Sequence, residues 1–366
     1  MIRLPLSMYP VPADDLDYDG LDRGIQMSLA YLNKLPQDRS FRFGPDTYTA
    51  AHLIRSLEYF QKFIASRPPA TQLSEMIRKN YQVYRAAGDE ATGRVLFTGY
   101  YEPLLNGSSK ETAEYRYPVF SRPDDLTTIE LPAFSSRYPD ETLVGRCTGQ
   151  KVVPYYDRKT IGNGAILKDH AQVLAWVRDP VDLFFLQIQG SGKIHLEQGS
   201  LLNVHYHITN GHPYRSIGKI LKDQGKIPGS EISMQTIRSY LKNHPQDVET
   251  VLNENPSYVF FKIETDGPLG NLNVPLTPGR SVAVDRKLFP PAALMYIQTQ
   301  KPVMDDKGRL NGWESLERFA LNQDTGGAIT GSGRADIFWG NGSYAELAAG
   351  YLQHRGEMYF LVLNAF

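Results

Sequence analysis

Hydrophobic positions recur every three or four residues through the first quarter of the chain, then give way to two-residue alternation and short apolar runs. Ile25, Leu29 and Leu32 share one helical face up to Pro36, and Leu53, Leu57, Phe60 and Ile64 share another behind a Thr47 or Thr49 cap. A third helical pattern, Leu73, Ile77 and Tyr84, follows Thr71 or Ser74. From Arg94 the spacing changes. The run VLFTGYY at 95–101 is rich in β-formers, ends at Glu102-Pro103, and opens about a hundred residues of short strands punctuated by Gly, Pro, Asp and Asn. Helical spacing returns over 213–221, stopped by Gly225, and again from Ser233 through Leu241. Residues 258–264 (YVFFKIE) begin a last β block, with strands expected over 281–285, 293–299, 317–322, 335–339 and 357–363. Residues 1–20, rich in Pro and Asp, read as an extended arm. This order predicts an insertion: the chain leaves one domain after about Pro103 and returns near residue 265, with a ligand cleft expected at the join.

Size agrees with that division, because 366 residues and 41.2 kDa exceed what a single core comfortably fills. Lys plus Arg number 39 against 40 for Asp plus Glu, so net charge offers no footprint for nucleic acid or an anionic membrane. The single cysteine, Cys147, excludes an intramolecular disulfide framework and a cysteine metal cage. The opening MIRLPLSMYPVPADDLDYDG lacks the apolar core, cleavage pattern and lipid-accepting cysteine of a signal peptide or lipobox. No run approaches the roughly 18 apolar residues of a membrane span.

Several chemistries can be weighed on spacing alone. His205, His207 and His212 lie close together but without HExxH spacing, and read as structural or hydrogen-bonding histidines. Ser191, in QIQGSG at 187–192, lacks the frame of a nucleophile elbow and reads as a polar turn. Cys147 has only Arg146 beside it to activate the thiol. The glycine pairs near 145–149 and 162–164 lack the Lys-Ser/Thr ending of a phosphate cradle. The 22 tyrosines, with Tyr100-Tyr101 and Tyr155-Tyr156 near turns beside Gln187, Gln189, Asn203 and Asn210, suit either a carbohydrate surface or ordinary sheet positions.

Carboxylates are the stronger candidates. Residues 323–342, QDTGGAITGSGRADIFWGNG, read as a Gly-rich hairpin that carries Asp324 and Asp336, and Asp285 precedes it in VAVDR. Such aspartates can simply cap turn amides. They can also supply the protonated acid that glycoside cleavage needs, since one of two neighbouring carboxyls retains its proton.

Seven segments in order decide how these pieces are read together: FTGYYEP at 97–103, QIQGSG at 187–192, NGHPYRSIG at 210–218, SMQTIR at 233–238, NPSYVFFK at 255–262, VDR at 284–286, and the stretch with Asp324 and Asp336. In these the chain resembles the membrane-bound lytic murein transglycosylase A family, and residues 281–340 resemble its three-aspartate module. The resemblance implies a mainly β protein with N-terminal helices. A double-psi β-barrel is expected from residues 1–104 and 266–366, a smaller inserted β-barrel-like domain from 105–265, and a glycan groove between them. The implied activity is cleavage of the β-1,4 bond between N-acetylmuramic acid and N-acetylglucosamine in peptidoglycan, leaving 1,6-anhydromuramic ends without water. Asp336 is the implied acid and base, and Asp324 its supporting carboxylate. Thr98, Tyr100, Tyr101, Gln189, Ser191 and Arg215 would bind substrate, and Asp285 would be structural or minor. No cofactor or metal is expected. The implied partners are peptidoglycan glycan strands, with other cell-wall enzymes as further candidates, a monomeric state, and a location in the cell envelope, periplasmic or outer-membrane associated. Residues 207–209 (HIT) differ from the Tyr-Ala-Gly expected there. The alternatives are a non-catalytic glycan-binding or wall-loosening double-psi barrel, and a hydrolase with Asp324 as base.

Overall fold

The computed structural model describes residues 1–138, 141–162 and 164–365. In chain order the strands that matter here are β1 (Tyr81–Arg85), β2 (Val95–Tyr100), β3 (Leu104–Ser108), β4 (Tyr117–Phe120), β5 (Val173–Val177), β6 (Ser191–Leu196), β7 (Leu201–Thr209), β8 (Val259–Ile263), β9 (Ser281–Ala283), β10 (Leu294–Met304), β11 (Leu310–Asp324), β12 (Arg334–Phe338) and β13 (His354–Leu363). The chain forms two compact units. Unit 1 is Met1–Tyr101 with Leu269–Phe366, and unit 2 is Glu102–Pro268.

Unit 1 is a closed six-stranded barrel in the order β13, β10, β11, β9, β12, β2, sealed by β2 pairing back onto β13. Its connections interlock. Strands β11 and β12 are consecutive in the chain but flank β9, while β2 and β9, consecutive once unit 2 is passed over, flank β12. That is the double-psi arrangement, and it brings distant stretches of sequence into register. Phe97, Val282, Met295, Ile297, Phe319, Leu321, Ile337 and Phe360 are buried along these strands.

Three helices pack beside the barrel: α1 (Leu21–Leu32), α2 (Ala50–Ile64) and α3 (Ala70–Asn80). Thr49 caps α2 by accepting from the His52 N–H, and the buried face of α2 includes Leu53, Leu57, Phe60 and Ile64. Tyr84 does not continue α3; the helix stops at Asn80 and Tyr84 lies in β1, paired with Phe360 of β13.

The N-terminal arm is strapped down by charge. Arg280, fully buried, donates from both terminal nitrogens to Asp14 at 2.7 and 2.8 Å, and Arg318 donates to Asp15 at 2.6 and 2.7 Å. Burying such pairs has a desolvation cost that two-pronged geometry offsets.

Unit 2 is a six-stranded sheet, ordered β8, β7, β6, β3, β5, β4, nearly closed by a bridge from Ser121 to Phe261. Most of its motif segments meet at two buried side chains. Arg158 donates to Gln187 Oε1, Asn255 O and Ser257 O, with the rings of Phe184 and Tyr258 at 4.7 and 5.2 Å. Asn210 donates to the carbonyls of Tyr156 and Pro256 and accepts from the Tyr258 N–H. The β-rich expectation missed several helical elements, the longest being α4 (Pro180–Gln189), with Asp179 as N-cap and Gly190 left-handed at its end, φ 79°.

Replacing Asp14 by Ala leaves the Arg280 charge buried without its partner, and should lower unfolding free energy in urea by about 3–5 kcal/mol. Removing the exposed Arg67, which pairs with Asp17 and Asp19 at the surface, should cost under about 1 kcal/mol. Equal losses would contradict this account of the arm.

Candidate active site

Asp324 and Asp336 are not two arms of a hairpin. Strand β9 lies between their strands, and Ala283 is in register with Asp324 on one side and Asp336 on the other. On the far side of β12, Asp336 is in register with Thr98 of β2. Four adjacent strands therefore carry the row Thr98, Asp336, Ala283, Asp324. Two strand spacings separate the aspartate backbones by roughly 10 Å, and Ala283 contributes only a methyl group between them.

The two carboxyls are half-buried and differently supplied with donors. Asp324 accepts from three: the Tyr100 hydroxyl reaches Oδ2 at 2.7 Å, and the N–H groups of Asn271 and Thr325 reach Oδ1, each at 2.9 Å. Asp336 accepts from the Thr98 hydroxyl at 2.7 Å, and Thr98 in turn accepts from Arg334 at 3.4 Å. Burial pushes the Asp336 carboxyl up to about 6; the Thr98 hydrogen bond and the Arg334 charge oppose the rise, and the Asp324 charge adds to it. Burial also raises Asp324, against the pull of its three donors. Burial and both aspartates hold the Tyr100 phenol well above its usual range, so it stays a neutral donor. The arrangement lets Asp336 keep its proton to a higher pH than an ordinary aspartate, with Asp324, half-buried and supplied with three donors, on the next strand but one.

Glycine chemistry serves this geometry mainly from within. A Cβ on Gly99 would lie 2.5 Å from Trp339 Nε1, so only glycine lets Trp339 close against β2 between Thr98 and Tyr100. Gly333 similarly abuts the Asp89 backbone just before Arg334.

The structure brings Thr98, Tyr100, Asp324 and Asp336 together within unit 1. Tyr101 follows them and is buried. Asp285 accepts from Lys287 N–H at 2.9 Å and Gly331 N–H at 2.8 Å, which ties the end of β9 to the loop before β12. In unit 2, Gln189 ends α4 half-buried, Ser191 starts β6 and is buried, and Arg215 is exposed with its N–H donating to Asn255 Oδ1. Sequence spacing did not single out Arg334 or Asn271. Arg334 stood in the motif itself, two residues before Asp336, whereas nothing in the sequence marks Asn271, which acts through its backbone. Of the three histidines, His205 is buried in β7, His207 is exposed, and His212 bonds the Tyr155 carbonyl at 2.7 Å. Among the described residues, the group with metal-ligand spacing is Asp124, Asp125 and His170, and it includes none of them.

An interlocked six-stranded barrel that carries a carboxyl raised by burial belongs to the double-psi class. Residues 96–262 match the MltA specific insert domain, and residues 280–362 match the 3D domain. Membrane-bound lytic murein transglycosylase A of Escherichia coli K12 is 34% identical over 281 residues, covering 76% of this chain and 68% of the relative. The Vibrio cholerae protein of the same name is 29% identical over 311 residues, covering 81% and 76%. The crystal structure of a membrane-bound lytic murein transglycosylase from Agrobacterium tumefaciens superposes with a TM-score of 0.78 at 29% identity, covering 99% of this chain and 97% of that one. E. coli MltA with bound chitohexaose gives 0.76 at 26% identity, covering 100% and 94%. The chain belongs to the membrane-bound lytic murein transglycosylase A family.

Thr98→Val removes a hydrogen bond that favours the ionised carboxylate, so the Asp336 midpoint should rise, by up to about one pH unit. The alkaline limb of a pH–rate profile should move up with it; a limb that stays put or moves down would show that Thr98 does not tune Asp336.

Proposed function

We propose that the protein is a lytic transglycosylase that cleaves the β-1,4 bond between N-acetylmuramic acid and N-acetylglucosamine in peptidoglycan, with Asp336 as its single acid and base. The observation that carries this reading is the position of Asp336 on the barrel strand within the matched 3D domain, in register with Thr98 and bonded to its hydroxyl at 2.7 Å, with burial raising the carboxyl. Protonated Asp336 gives its proton to the glycosidic oxygen as the bond to the anomeric carbon breaks. The resulting carboxylate then takes the proton of the muramic 6-hydroxyl, whose oxygen attacks the same carbon and closes a 1,6-anhydro ring. Both nucleophile and electrophile belong to one sugar, so the attack has the advantage of an intramolecular reaction.

Asp324, when ionised, adds to the rise that burial gives the Asp336 carboxyl and would steady the cation-like sugar. It is poorly suited to activating water, because its oxygens already accept from three donors. This argues against the hydrolase alternative. Thr98 and Tyr100 position the carboxyls, and Gln189, Ser191 and Arg215 are the remaining candidates for glycan contacts. Chitohexaose in the E. coli relative supports a β-linked glycan strand as ligand. Such a substrate implies the cell envelope, at the periplasmic face or the outer membrane; among the described residues no helix is long and apolar enough to cross a membrane.

Purified sacculi digested with the protein should yield 1,6-anhydromuramic ends by mass spectrometry, and Asp336→Asn should reduce their release by at least about a thousandfold. Because Asp336 must be protonated in the free enzyme, kcat/KM should fall as pH rises through about 6. Reducing ends that contain water would indicate a hydrolase, and sacculus binding without any release would favour a glycan-binding protein.

A further inference from the structure

Away from the aspartates, unit 1 contains an open depression of about 620 Å³ between the strand Ser40–Phe43 and the turn after Asp285. Arg42, Arg286 and Lys287 line it together with Phe41, Phe289 and Pro290, and no acidic residue does. Arg42 spends one nitrogen on the Gly44 carbonyl at 3.0 Å. Among the described residues none of the three cations has a salt-bridge partner. All three are exposed and so screened by solvent, but together they make this face cationic, and guanidinium groups present paired donors that match a carboxylate. The volume is that of a small-ligand site.

Its position relates it to the proposed chemistry. Arg286 is three residues beyond Ala283, the residue in register with both aspartates, and three residues of chain reach at most about 11 Å. Asp285, between them, holds the Gly331 N–H in the loop that leads to Arg334 and Asp336. Arg286 of the cavity thus lies within that reach of the strand row that carries Asp336. We propose that this cavity binds a carboxylate of the peptide borne by peptidoglycan, so that the protein reads the peptide as well as the glycan. The proposal rests on the substrate assigned above. A depression lined by both cations and apolar side chains suits a single anionic group better than the plane of a membrane surface.

The test uses stem tetrapeptide released from sacculi, titrated calorimetrically into the intact protein. Wild-type affinity should weaken with salt. The double variant R286E/K287E should bind at least about tenfold more weakly, while K62E, a charge reversal on α2 outside the cavity, should change affinity less than about twofold. The ratio of kcat/KM on peptide-bearing over peptide-free strands should also fall in R286E/K287E, by at least about fivefold. Unchanged melting temperature separates these effects from misfolding. Equal affinity in wild type and R286E/K287E overturns the proposal, as does an equal loss in K62E. Loss of binding to phosphatidylglycerol vesicles with peptide binding intact would overturn it in favour of a membrane contact. Peptide binding that depends on Arg286 and Lys287, without anhydro products, would sink the substrate assignment and leave the cavity as a peptide site.

Discussion

Three buried residues, Ser281 to Ala283, hydrogen-bond to two strands at once and so fix how far apart Asp324 and Asp336 stand. A strand this short has little stability of its own, and its neighbours hold it. The Ser281 hydroxyl donates to Gln323 Oε1 at 2.6 Å, and Gln323 donates onward to the Gly24 carbonyl of α1 at 2.7 Å. Arg280, immediately before the strand, is locked to Asp14 of the arm and to the Phe319 carbonyl of β11. The arm and the first helix thus serve the site without touching it. Loosening either would let β9 shift, and the aspartate spacing with it.

Given that spacing, unequal solvation by protein donors separates two chemically identical side chains. Burial raises both carboxyls, but three donors oppose the rise at Asp324, whereas at Asp336 one hydroxyl and the Arg334 charge oppose it and the Asp324 charge adds to it. A like charge and a desolvated pocket push in the same direction on Asp336. Tyr100 is central to the contrast, since it serves Asp324 as a neutral donor and gives Asp336 no direct bond. One fold therefore gives two residues of one type different surroundings.

Much of this was legible in the sequence where the cause is local. The helices at 21–32 and 50–64 show themselves by an apolar stripe and, for the second, by Thr49. Helix α4 hid because VDLFFLQIQ is apolar nearly all round and so lacks a stripe, although Asp179-Pro180 and Gly190 marked both its ends. Tyr84 fell on the helical period of α3 by coincidence. The hairpin reading of residues 323–342 failed for a non-local reason: β9 comes from some forty residues earlier and inserts between the two strands. Motif segments in unit 2 that suggest a binding surface are in large part its scaffold, converging on Arg158 and Asn210. The proposal of Asp336 as the acid needed the resemblance; the burial that raises its carboxyl needed the structure.

The most direct measurement is a carbon-13 titration of the aspartate side-chain carboxyls in the folded wild-type protein, with Asp336→Asn used to assign the resonance. The account predicts a carboxyl that titrates near pH 6 and is missing from the variant. An Asp336 resonance that titrates near the ordinary aspartate value of about 4 would contradict it, because the residue would then have no proton to give at neutral pH.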